Sequence, residues 1–159
     1  MTTKQETARR KTVLSLVLAV ALLAAAFSFA QPSQAHRDSS PLVGGWRMTS
    51  LEAGTPGALR PVPYSGQIIF TKSGTMSVQA MNPDANAPDT PYTINGYEAF
   101  YGTVAVNKAA GTFVVTVESS AVRNLIGQRL TRVFKVSGDR LVLTPTDPAE
   151  GWRVTYKRF

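Results

Sequence analysis

Past Leu42 no stretch of the chain keeps the 3.6-residue apolar period of a helix. That constrains the fold more than any other feature. What replaces it is a succession of short runs with strand-like alternation, each closed by Gly, Pro, Asn or Asp. The runs fall at about Trp46 to Glu52, Gly66 to Thr71, Thr75 to Met81, Tyr97 to Asn107, Thr112 to Ser119, Arg129 to Ser137, Leu141 to Thr144 and Trp152 to Phe159. Lys72-Ser73-Gly74, Lys108-Ala109-Ala110-Gly111 and Gly138-Asp139-Arg140 are tight turns between neighbouring runs, so consecutive strands pair antiparallel. Gly54, Pro56, Gly57, Pro61 and Pro63 predict a loop, and Ala121 to Gln128 an irregular or single-turn piece. Eight strands in series predict an all-β, eight-stranded antiparallel up-and-down barrel, closed where the first strand meets the last. Such an interior is either filled by side chains or just holds one small ligand.

The longest interruption, Asn82 to Asn95, carries Pro83, Pro88 and Pro91 among Asp and Asn. A connection of this length is unusual in a compact domain. It is either a cover over a binding site or a surface excursion.

Residues 1–35 read as a signal peptide. A basic region ending Arg9-Arg10-Lys11 precedes an apolar run from Val13 to Ala30. Ser33 and Ala35 suit cleavage before His36, with cleavage after Ala30 the competing site. The predicted destination is secreted or periplasmic, and the alternative is an uncleaved membrane anchor. Residues 36–41 then form a flexible mature N-terminus, and 42–159 a single barrel domain. Arg9-Arg10 fits a twin-arginine route, against which Thr12 counts.

Of the formal +7 charge, +3 comes from Lys4, Arg9, Arg10 and Lys11 against Glu6, leaving +4 for the rest. The remaining cations are scattered over several strands rather than clustered with aromatics, so no nucleic-acid partner is expected. With no cysteine there are no disulfides, thiolate metal sites or cysteine nucleophile. The single histidine, His36, lies outside the barrel, which excludes a Ser-His-Asp triad or a multi-histidine metal site within it. No metal, cofactor or catalytic residue is assigned. The strand carboxylates Glu52, Glu98 and Glu118 leave one opening for catalysis, Glu98 or Glu118 with Tyr101 or Arg132 as an acid/base pair.

Alternation assigns inner faces. Trp152, Val154, Tyr156 and Arg158 share one, as do Leu130, Arg132, Phe134 and Val136. Trp46, Met48 and Ser50 form a third, and Phe100, Gly102, Val104 and Val106 a fourth. Two cations break these faces, and a buried arginine needs an acceptor, an aromatic face or an anion. Stacking on Trp46 satisfies Arg158 and closes the barrel. Arg132 either snorkels to a barrel mouth or meets an acidic or carbonyl-bearing ligand.

These residues resemble a known pattern. Gly44-Gly45-Trp46 resembles the Gly-x-Trp signature of the lipocalins, with Arg158 where that superfamily packs an arginine across the Trp. More specifically, the chain is similar to the bacterial and fungal lipocalin-like domain family, whose fold is a calycin-type barrel. The likeness rests on Leu42 to Trp46, on Gly74-Thr75-Met76-Ser77-Val78-Gln79 and on Tyr97-Glu98-Ala99-Phe100-Tyr101-Gly102-Thr103. Asn124 to Gly127 and Gly138 to Leu143 fit as well, so it spans Leu42 to Phe159. Tyr156-Lys157-Arg158 stands where many relatives have Trp-Glu-Arg, and Val114 to Glu118 lacks the histidines that relatives often carry. The resemblance implies binding of a small apolar or weakly acidic molecule, with a membrane partner only if the signal segment is not cleaved. Parity and family position together nominate Gln79, Met81, Tyr97, Tyr101 and Arg132 as ligand contacts. A cofactor-independent cyclase or isomerase using the same cavity, or a filled structural barrel, are the alternatives.

Overall fold

The computed structural model describes residues 40–159; the signal peptide, its cleavage sites and His36 lie outside the described residues. Nine antiparallel strands follow one another: β1 (Gly44–Thr55), β2 (Ala58–Val62), β3 (Ser65–Phe70), β4 (Thr75–Met81), β5 (Tyr97–Asn107), β6 (Thr112–Ser120), β7 (Arg129–Ser137), β8 (Arg140–Pro145) and β9 (Trp152–Arg158). Each strand from β3 to β8 pairs with its successor, and β1 pairs with both β3 and β9. The result is a closed eight-stranded barrel. Single 3-10 turns at Arg123–Leu125 and Pro148–Glu150 are the helical pieces among the described residues.

The extra strand, β2, corrects the expectation of a loop from Gly54 to Pro63. Pro56-Gly57 forms a two-residue turn between paired Thr55 and Ala58, with Gly57 at φ 82, the conformation a type II turn requires at its third position. Ala58–Val62 then runs back along Leu51–Thr55. Pro61 is tolerated because β2 has β1 as its sole neighbour, leaving no second ladder to interrupt. β1 is therefore shared along one edge, Gly44 to Arg47 with β3 and its distal half with β2.

Closure occurs where β1 meets β9. Trp46 lies opposite Arg158 and Met48 opposite Tyr156; the register then shifts by one residue before Ser50 meets Thr155. The bulge at Thr49 reverses the alternation, so Leu51 and Ala53 point inward while Glu52 points out and pairs with Arg153 at 2.7 Å. The expected inward face of Trp46, Met48 and Ser50 is thus correct only before the bulge. The guanidinium of Arg158 lies 3.9 Å from the centroid of the fully buried Trp46 indole. It also donates to the carbonyls of Val43 (2.8 Å) and Pro41 (3.1 Å), and the indole Nε1 donates to the Leu42 carbonyl (2.8 Å). One cation thereby ties the entering chain, the first strand and the last strand together.

Core packing differs between the two ends. Leu42, Trp46, Phe70 and Leu141 fill the end where β1 begins and β9 finishes, and Phe70 meets Phe113 edge to face at 5.3 Å. On the opposite wall a bulge between Tyr101 and Gly102 brings β5 against β6. A Cβ on Gly102 would collide with the Thr116 carbonyl, so only glycine allows that approach. The other end of the barrel is not filled.

Replacing Arg158 by Lys keeps the charge but cannot cover the indole and reach two carbonyls at once. Arg158→Lys is expected to cost about 1–2 kcal/mol, and Trp46→Ala about 3–5 kcal/mol, in urea unfolding followed by far-UV circular dichroism.

Candidate functional site

The barrel encloses a cavity of about 580 Å³, open towards the end where β5 and β9 begin. Its walls are largely aliphatic and aromatic: Ile68 from β3, Met76 and Val78 from β4, Phe100 from β5, Phe113 and Val115 from β6, Leu143 from β8 and Val154 from β9. Strand alternation places them there, because every second residue of each strand meets the interior. The interval 82–95 runs across the open end, with Asn82, Ala87, Pro88, Pro91, Tyr92 and Thr93 reaching the cavity. It is held by its own polar groups. Asn82 N–H donates to the Gly96 carbonyl (2.9 Å), Asn95 N–H to Asp89 Oδ1 (2.6 Å), and the Thr90 and Thr93 hydroxyls meet at 2.9 Å. This long connection therefore lies over the cavity mouth rather than projecting from the surface.

Polar groups in the cavity fall into two sets. At the rim, Arg132 of β7 faces Glu150 at 3.7 Å and donates to the Thr131 carbonyl at 2.9 Å. It lies over the rings of Trp152 (5.1 Å) and Tyr92 (5.4 Å). Glu150 Oε2 also accepts from the Tyr92 hydroxyl (3.1 Å) and from Trp152 Nε1 (3.2 Å). The cover is thus fastened to the turn before β9 by one carboxylate, with a guanidinium held between two aromatic faces. Arg132 is 13% exposed at its side chain, so its buried charge is satisfied by an acceptor and two rings.

The second set is Glu98, near the start of β5, and Tyr156 of β9. Glu98 faces inward with Phe100, and its side chain has no hydrogen bond or ion pair to any described residue. Loss of water raises its pKa from 4.5 to about 7, a rise that the positive charge of Arg132 only partly opposes. Tyr156 is 3% exposed, and its hydroxyl is pushed well above the usual tyrosine range by burial first and by the charge of Glu98 second. At neutral pH it is a protonated phenol. The pair offers a carboxyl that can take up or release a proton near pH 7 and a neutral hydroxyl, in an otherwise apolar chamber.

Of the five nominated ligand contacts, Arg132 alone lines the cavity. Met81, Tyr97 and Tyr101 are 43%, 38% and 48% exposed on the outer surface, and Gln79 is exposed with its amide bonded to Gln67 at 3.0 Å. The reason is parity. Met76, Val78 and Ala80 occupy the inner face of β4 and Glu98 and Phe100 that of β5, which turns the alternate residues outward. The same parity removes Glu118 and Tyr101 from the suggested acid/base pairings and leaves Glu98 with Arg132. Trp152 and Tyr156 lie on the inner face that alternation assigns to the last strand, and Glu98 could have been found as a lone carboxylate one pleat from Phe100 on an apolar face. Tyr92 and Glu150 carry no such signal, because both lie outside the strands.

The raised Glu98 carboxyl makes folding pH-dependent. Between about pH 4.5 and 7 the folded chain holds a proton that the unfolded chain releases, so stability falls as pH rises through this window and is flat above it. The fall attributable to Glu98 is on the order of 3 kcal/mol at most. Glu98→Gln is expected to remove most of the difference between urea midpoints measured at pH 5 and pH 8.

No family model and no curated protein matches the chain. Among solved structures it is similar to an uncharacterized protein from Bacteroides eggerthii DSM 20697. The identity is 17% over 74% of this chain and 99% of that one, and the TM-score is 0.46.

Proposed function

We propose that the chain is an exported, lipocalin-like barrel that holds a small, mostly apolar molecule in its interior. The observation that carries this reading is the apolar cavity of about 580 Å³, within the size range of pockets that enclose a small ligand. A filled structural barrel would bury its inner side chains against one another, and here Ile68, Val78, Phe100 and Val115 border empty volume instead. The basic and apolar N-terminal segment supports export, and the Trp46–Arg158 pairing with the Leu42 to Trp46 segment supports the lipocalin-like assignment.

A second reading has one observation in its favour. Glu98, its carboxyl pushed up to about 7 by burial, shares the chamber with a protonated Tyr156, a combination suited to a cofactor-independent isomerisation or cyclisation of a bound apolar substrate. That reading requires a conversion lost in Glu98→Gln while binding persists.

Trp152 lines the cavity and Trp46 does not, so the two indoles separate interior binding from effects on the fold. Titration with aliphatic alcohols and small aromatic hydrocarbons is expected to change the emission of wild type and Trp46→Phe. Trp152→Phe should be silent. Filling the chamber with Val78→Trp should abolish uptake, measured by native mass spectrometry, without loss of the β-sheet circular dichroism signal. Retained uptake in the filled variant would place the ligand elsewhere.

A further inference from the structure

We propose that the cavity selects a ligand with a protonated amine at one end, seated on the Glu98 carboxylate, rather than an acid seated on Arg132. This rests on the interior-ligand reading and specifies the chemistry at the polar end of the molecule.

Charge inside the chamber decides the sign. Among the described lining residues the groups that carry charge are Glu98, Glu150 and Arg132. Arg132 already has its partners, the Glu150 carboxylate, the Thr131 carbonyl and the faces of Trp152 and Tyr92. An anion entering there would come up against the Glu150 carboxylate, 3.7 Å from Arg132 Nη1 and itself held by the Tyr92 hydroxyl and the Trp152 indole. Glu98 has no such occupant. Its carboxyl is unpaired in protein terms, and with Arg132 and Glu150 offsetting one another its ionised form leaves the chamber with a net charge of about −1. The Glu98 carboxyl is half-buried and reachable from the chamber, and an ammonium seated on it supplies the opposite charge and up to three donors. The Tyr156 hydroxyl opens to the same chamber, feels the charge of Glu98 and has no hydrogen bond to a described side chain, which leaves it available as an acceptor. The apolar walls then take a chain or ring attached to the amine.

Occupation by an amine has a proton signature. The groups sharing the chamber with Glu98 are Arg132, Glu150, Tyr64, Tyr92 and Tyr156. Of these, Glu150 is held at the rim by Arg132, Tyr92 and Trp152. Glu98 ionises between about pH 5.5 and 8, so affinity for an amine rises with pH while affinity for a matched alcohol does not.

The test uses the full-length protein and three probes sharing one alkyl chain, octylamine, octanol and octanoate, titrated by Trp152 emission at pH 5.5 and 8. At pH 8 octylamine should bind about tenfold or more tighter than octanol, and octanoate more weakly than either. That advantage should shrink at least about fivefold at pH 5.5. In Glu98→Gln, octylamine should fall to the level of octanol, whose own binding is unchanged. Equal binding of octylamine and octanol, or tightest binding of octanoate, would overturn the amine site and leave the interior-ligand reading standing. If none of the three binds, both readings fall. A destabilised Glu98→Gln variant is distinguished by its loss of octanol binding, and the pH dependence in wild type then decides.

Discussion

A guanidinium lying on an indole is the joint on which this structure depends. Arg158 covers Trp46, and its remaining N–H groups reach back to the carbonyls of Pro41 and Val43. A cation over an aromatic face contributes roughly 0.5–2 kcal/mol, and charge-assisted bonds to carbonyls add to that. The position of the contact matters more than its magnitude. It sits at the seam between first and last strands, the pairing with the greatest separation along the chain. Without disulfides, that seam is held by ladder bonds, by this cluster, by the Glu52–Arg153 ion pair and by the Thr49 hydroxyl donating to the Thr155 carbonyl.

Closing one end firmly is what permits the other end to stay empty. Leu42, Trp46, Phe70 and Leu141 concentrate the dense packing around the seam, which leaves the far half of the barrel free of the need to be filled. The bulge at Thr49 contributes to the same division. It turns Leu51 and Ala53 inward, where small and aliphatic side chains widen the chamber, and sends Glu52 out to meet Arg153. A β1 without the bulge would direct a carboxylate into the cavity at that level.

The open end is closed by different chemistry. A hydrogen-bonded cover of fourteen or so residues would remain loose if it met only apolar walls, because such contacts are non-directional. Glu150 gives it direction, accepting from Tyr92 on the cover and from Trp152 on β9 while facing Arg132. The polar groups of the site therefore have separate tasks. The rim set orders the entrance, and Glu98 with Tyr156 stands free inside.

Much of the architecture could be read from residue order alone. Alternation within runs, glycine at the turns, and Trp46 and Arg158 at opposite ends are local properties, and each required one arrangement of a short segment. The inner faces of β5, β7 and β9 follow from the same alternation. Three things did not follow. β2 hides behind Pro61 and Pro63, whose usual meaning is a break, until the edge position of the strand makes them harmless. The face of β4 turns on one residue of register, which only its neighbours β3 and β5 decide, and that is why Gln79 and Met81 lie outside, whereas Tyr97 and Tyr101 lie outside by the alternation of β5 itself. The convergence of Tyr92, Arg132, Glu150 and Trp152, and the isolation of Glu98, depend on pieces distant in the chain meeting at one mouth. No local pattern encodes that meeting, so only the closed barrel determines which charge in the chamber has a partner and which has none.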